Sequence, residues 1–133
     1  SRKSMTVVDA NVILRYLLDD HKSLSTKARK IIDPAVGGER DLFVPQAVLA
    51  ECVYVLEKLY KVPRLEIADS LDALLAFKGI ETHDAAASRM ALQWYSGSRV
   101  DFVDALVLAT AHAQGVGYAS FDKDLGKLER RLS

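Results

Sequence analysis

Short β-rich runs at 6–8, 42–44, 79–82 and 117–120 alternate with longer stretches whose apolar residues recur at helical spacing. Those stretches lie at about 11–18, 23–32, 46–60, 64–77, 84–95 and 102–114. A strand, a helix and a second strand in succession require a crossover connection, so the strands run parallel. The pattern predicts an α/β fold, a three-layer α/β/α sandwich around a short parallel central sheet. Punctuation agrees: Pro34 with Gly37 and Gly38, the pair Val62 and Pro63, Gly97 and Gly115 all fall between periodic segments. The helix at 64–77 is the cleanest, with Ile67, Leu71, Leu74 and Leu75 on one face. Residues 128–133 receive no assignment.

A chain of 133 residues has room for one compact domain and hardly for two. That domain is expected over 5–133, with residues 1–4, ahead of Met5, read as left over from cloning. Half of the residues are hydrophobic and 27% are charged, which excludes a disordered chain. The formal net charge is zero, so the strongly basic signature of many nucleic-acid binders is missing. One cysteine, Cys52, allows no internal disulfide and makes no zinc site alone, which fits a reducing cytoplasm. No apolar run approaches the length needed to span a bilayer.

In an open parallel sheet, ligands bind beyond the carboxyl ends of the strands. Asp9 follows the first run, and Asp122 and Asp124 follow the last. Asp9 and Asp122 each also read as helix N-caps, accepting a bond from a free backbone N–H. Glu51 falls at the border between the apolar and polar sides of the helix at 46–60, where it either lines a cleft or faces water. Asp104 has Val107, Leu108 and Ala111 at i+3, i+4 and i+7, on a helix that is apolar nearly all round. An ionised carboxylate buried there needs compensation. The bland reading is a first-turn acid with Asp101 as N-cap three residues earlier. No lysine or arginine lies within 103–113 or 44–57, so neither helix neutralises its own acid.

Four converging acids would repel unless a divalent cation is bound. Oxygen ligands alone suit Mg²⁺ or Mn²⁺. His21, His83 and His112 show no paired spacing, which disfavours zinc. Arg15, Arg40, Lys61, Arg64, Arg89 and Arg99 are scattered and are read as solvated surface before substrate groove.

The residues Thr-Val-Val-Asp-Ala-Asn-Val-Ile-Leu-Arg at 6–15 resemble the opening motif of the PIN-domain family, the fold of VapC-like toxin ribonucleases. Three further stretches resemble the family in order: Ala-Glu-Cys-Val-Tyr-Val-Leu at 50–56, Asp-Phe-Val-Asp-Ala-Leu-Val-Leu-Ala-Thr-Ala at 101–111 and Ser-Phe-Asp-Lys-Asp-Leu at 120–125. The resemblance implies that Asp9, Glu51, Asp104 and Asp122 are the metal-binding catalytic carboxylates. Asn11, Ser120 and Asp124 would support them, and Asp104 matches the third motif better than Asp101 does. Leu125 stands where many members carry phenylalanine.

The activity implied is hydrolysis of RNA phosphodiester bonds with one or two Mg²⁺ or Mn²⁺ ions. The resemblance also implies a toxin of a type II toxin-antitoxin pair, hence a homodimer and a small antitoxin protein over the acidic site. Apolar residues at Leu14, Leu17 and Leu18 and on the helices at 46–60 and 64–77 give modest support, with core packing as their plainer reading. An RNA-processing nuclease outside such a pair and a silent PIN-fold binding module are the alternatives. Aspartate-dependent phosphatases also use Mg²⁺ but need a second aspartate where this chain has Asn11. A receiver-like domain needs adjacent acids at the first strand and a lysine after a late strand, which are missing.

Overall fold

The computed structural model describes residues 4–133; residues 1–3, most of the segment read as preceding the domain, lie outside the described residues. Three parallel strands, β1 (Thr6–Val7), β2 (Leu42–Phe43) and β3 (Ile80–Glu81), form one sheet in the order β1-β2-β3. Leu42 stands opposite both Thr6 and Ile80. The ladder continues one residue further on β1 and β2: the Val8 N–H donates to the Phe43 carbonyl at 3.1 Å, and the Val44 N–H to that of Glu81 at 2.8 Å. The central strand is the most deeply packed, with Leu42 and Val44 fully buried, as expected for a parallel strand covered on both faces.

Among the described residues, seven α-helices surround the sheet. The first crossover carries α1 (Ala10–Leu18) and α2 (Lys22–Val36), and the second α3 (Gln46–Tyr54) and α4 (Arg64–Leu75). After β3 come α5 (Ala85–Ser96), α6 (Phe102–Gln114) and α7 (Lys123–Leu132). Each packs by a buried stripe: Ile67, Ala68, Leu71, Leu74 and Leu75 on α4, and Phe102, Ala105, Leu108, Ala109 and Ala111 on α6. No helix among the described residues is long and apolar enough to cross a membrane.

The expected α/β architecture holds, with four local corrections. The run at 117–120 is not a strand. Gly117, Ala119 and Ser120 are exposed, and the Tyr118 hydroxyl instead donates to Glu129 on α7 at 3.0 Å. Residues 128–132, left unassigned, belong to α7, which buries Leu125 and Leu128. Helix α2 runs through Pro34, expected as a break, and ends near Gly37; a proline this close to the end removes only one backbone bond. The single helix expected at 46–60 ends as an α-helix at Tyr54 and passes into a π-helical turn, Val55–Leu59. Leu59 and Tyr60, read as part of its apolar side, are 69% and 41% exposed.

Strand β3 enters through a place where only glycine fits. A Cβ on Gly79 would lie 1.9 Å from the Arg40 carbonyl oxygen and 3.0 Å from that of Ala35. The same glycine donates its N–H to the Ala35 carbonyl at 2.8 Å and accepts from the Leu42 N–H at 2.8 Å. Gly79→Ala is expected to destabilise the protein by about 2–4 kcal/mol in urea denaturation, since the clash is with backbone. Gly117→Ala, where no atom lies within 4 Å of the added methyl, should change stability by less than about 0.5 kcal/mol.

Candidate active site

Two of the four acids sit at helix N-caps. Asp9 ends the first strand segment and caps α1, its Oδ1 accepting from the Val12 N–H at 3.1 Å. Asp122 caps α7, its Oδ1 accepting from the Leu125 N–H at 2.9 Å. The capping reading is therefore correct for both. It does not exhaust either group, because capping uses one carboxylate oxygen and both residues are exposed. Ser120 supports Asp122 directly, its hydroxyl accepting from the Asp122 N–H at 3.0 Å.

Glu51 is exposed on α3 next to the fully buried Cys52. Asp104 occupies the first turn of α6 and is half-buried, since Val107, expected on its buried stripe, is 40% exposed. The acid thus lies at the edge of the apolar face. Asp101 holds the N-cap position of α6, but its side chain makes no capping bond. It points toward Arg64 instead, with Oδ1 3.6 Å from Nη2.

The acids gather in two groups. Asp104 interacts with Asp122 and Asp101: burial raises its carboxyl above the ordinary range, and the nearby Asp122 and Asp101 charges raise it further. Asp9 and Glu51 flank Cys52, whose thiol is pushed up to about 12 by burial first and then by the charges of Glu51 and Asp9. The Cys52 sulfur lies 3.9 Å from the Ala10 carbonyl, tying α3 to the start of α1. Helix α3 also touches α6, so it stands between the two groups. Among the described residues no three His, Cys, Asp or Glu side chains are gathered closely enough to hold an ion. Asn11 is exposed on α1. Asp124, half-buried in the first turn of α7, lines a separate cavity of about 580 Å³ with Arg99, Lys127 and Arg131.

The sequence reading missed a polar network beside Asp104. It placed Glu57 on the polar side of its helix and Arg64 on solvated surface. The π-helical turn, closed by the Tyr60 N–H on the Val55 carbonyl at 3.2 Å, instead turns Glu57 inward. There the buried Tyr95 hydroxyl donates a short hydrogen bond to Glu57 Oε1. Arg64 donates through Nη1 to the carbonyls of Tyr95, Ser98 and Val100 at 3.1, 3.1 and 2.6 Å. Its Nε lies 3.4 Å from Glu57 Oε1, and its Cζ 4.4 Å from the centre of the Tyr95 ring. No local spacing announces this set; Pro63 placing Arg64 at the start of α4 is the only signal. Two other cations of the list are paired, Arg15 with Asp20 at 2.7 Å and Arg89 with Asp72 at 2.7 Å.

Comparison with known proteins agrees with the motif order. The chain matches the family model described as PIN domain over residues 6–131. It is 29% identical over 125 residues to a VapC ribonuclease from Aquifex aeolicus (strain VF5), covering 93% of this chain and 92% of that one.

Burial alone would raise the Glu57 carboxyl, but hydrogen bonds from Tyr95 and Lys58 and the charge of Arg64 bring it below the ordinary range. A depressed folded-state value stabilises the fold above the unfolded value of about 4.3, and that contribution disappears as pH falls through the folded value. Glu57→Gln should therefore lower the melting temperature most near pH 7. The difference from the unmodified protein is expected to shrink below about pH 4, which thermal melts across pH 3–8 measure.

Proposed function

The chain belongs to the PIN-domain family, and from that membership we propose that it is a metal-dependent endoribonuclease, the toxin of a toxin-antitoxin pair. The observation that carries the reading is the pairing of Asp104 with Asp122. Asp104 and Asp122 come from different helices and interact, and the Asp104 carboxyl is raised by burial first and then by the Asp122 and Asp101 charges, with no cation lowering it. That arrangement disfavours the fold unless positive charge enters.

The donor chemistry fits Mg²⁺ or Mn²⁺: Asp9, Glu51, Asp104 and Asp122 offer carboxylate oxygens, and neither imidazole nor an ionised thiol competes. In this reading the four acids are the catalytic set and hold one or two ions. When bound, the ion supplies Lewis-acid charge for the phosphate and lowers the pKa of water. The protein supplies orientation. Capping fixes the rotamers of Asp9 and Asp122, Ser120 fixes the backbone of Asp122, and α6 presents Asp104 from its first turn. Asn11, Asp124 and Asp101 border the set as supporting residues. RNA as substrate rests on the VapC ribonuclease that this chain resembles.

Toxin membership further implies a cytoplasmic protein, a homodimer and a cognate antitoxin that covers the acids. Exposed apolar side chains beside Asp104 favour a protein partner: Tyr54 and Val103, which line one cavity with it, are 62% and 55% exposed. An upstream reading frame encoding a small DNA-binding protein would support the toxin assignment over an RNA-processing one.

Asp104→Asn keeps the shape and removes the charge. It is expected to lower Mn²⁺-dependent cleavage of RNA by about 10²–10³-fold. The metal-free variant should melt at the same temperature or higher, because the repulsion is relieved. Gel assays with and without excess chelator test this; undiminished cleavage by the variant, or cleavage that survives the chelator, overturns the mechanism.

A further inference from the structure

A cavity of about 250 Å³ adjoins the acidic set at Asp104. Its lining includes the exposed Tyr54, Lys58, Asp101 and Val103, the half-buried Glu57 and Asp104, and the buried Tyr95. The volume falls below the ~300–1,000 Å³ typical of pockets for drug-sized ligands, so it suits one planar ring system better than an extended ligand. Tyr54 is 62% exposed with no hydrogen-bonded partner among the described residues that would explain an aromatic there. Single-stranded RNA is read by splaying bases onto such rings and bonding their edges.

We propose that this cavity is a base-recognition subsite for guanine, next to the phosphate that the acids engage. The inference rests on the ribonuclease reading and adds the specificity of the same site. The polar group available at depth is a carboxylate, which accepts hydrogen bonds and donates none when ionised. Guanine alone among the four RNA bases presents two neighbouring N–H donors, N1–H and the 2-amino group, on its Watson–Crick edge. Adenine and cytosine present an acceptor beside their amino group, and uracil a single N–H between two carbonyls.

Glu57 is prepared for that role. Tyr95 and Arg64 hold Oε1 from behind, at a short hydrogen bond and at 3.4 Å. The remaining partner, Lys58 at 2.9 Å from Oε2, has a side chain 52% exposed and swings away at little cost. Released from Glu57, its ammonium is free for a backbone phosphate of the same nucleotide. Guanine thus replaces a surface ion pair, while the buried half of the network stays in place.

The test is binding of guanosine, adenosine, cytidine, uridine and inosine 5′-monophosphates to the full chain without added metal, followed by NMR or calorimetry. Guanosine monophosphate is expected to bind about 10–100-fold tighter than the adenosine, cytidine and uridine forms, with inosine, lacking the 2-amino group, between. Tyr54→Ala should weaken guanosine monophosphate about tenfold, and Glu57→Gln should erase the discrimination. Equal binding of all five, or guanosine monophosphate affinity untouched by Tyr54→Ala, overturns the proposal; the comparison of the five nucleotides on the unmodified chain decides the matter if Glu57→Gln does not fold. Because no cleavage is involved, the subsite and the ribonuclease reading fail separately. Guanine binding by a chain that cleaves no RNA sinks only the latter, and cleavage with no base preference sinks only the subsite.

Discussion

Arg64 is the interaction on which the functional half of the molecule depends. Its guanidinium bonds three carbonyls between the end of α5 and the start of α6, stacks on Tyr95 and faces Glu57 and Asp101. A planar fork with five donors is suited to joining several acceptors at once, which a lysine ammonium is not. The segment from Tyr95 to Val100 would otherwise leave carbonyls without partners near the core. Through that segment Arg64 fixes where α6 begins, and α6 begins with Asp101 and Asp104. The positions of the acids on α6 are thus set by a cation from a different helix.

The π-helical turn explains how that cation reaches its partners. A regular continuation of α3 would rotate Glu57 with the polar face, as its spacing suggests. One wider turn changes the phase and brings Glu57 against Tyr95; two residues after it Lys61 adopts a left-handed backbone with φ 56°, and Pro63 stands at the N-cap of α4. Burial and the Glu57 carboxylate push the Tyr95 hydroxyl strongly upward, so it remains a donor at any physiological pH. The buried side of the network thus joins one acceptor, one neutral donor and one permanent cation, while Glu57 Oε2 meets Lys58 at the surface.

How much of this was legible depends on the range of the interactions. The parallel alternation, the stripe on α4 and the caps at Asp9 and Asp122 are local, and sequence spacing carries local information well. The strand expected at 117–120 failed because pairing needs a neighbour, and Tyr118 found one in α7 through Glu129. Glu57, Arg64 and Tyr95 were unreadable because they are joined across separations of 31 and 38 residues. The four acids were visible as candidates, but only motif order grouped them. In the structure Asp104 interacts with Asp122, the Asp9 and Glu51 charges both act on Cys52, and among the described residues no three such groups close into one ligand cluster.

That incomplete closure has a physical reason. Close carboxylates in a half-buried site repel, so they move apart or take basic partners where the backbone allows it. Here the acids are prevented from separating fully: Asp9 and Asp122 are bound to their helix N-termini, and Asp104 is fixed by the start of α6. The nearest arginine is committed to backbone carbonyls and to Glu57. Net neutrality over the whole chain therefore conceals a local concentration of negative charge. In the proposed reading, a cation held by these acids would supply the attraction for a phosphodiester that a basic surface supplies elsewhere, since the ion's own charge would dominate the local field.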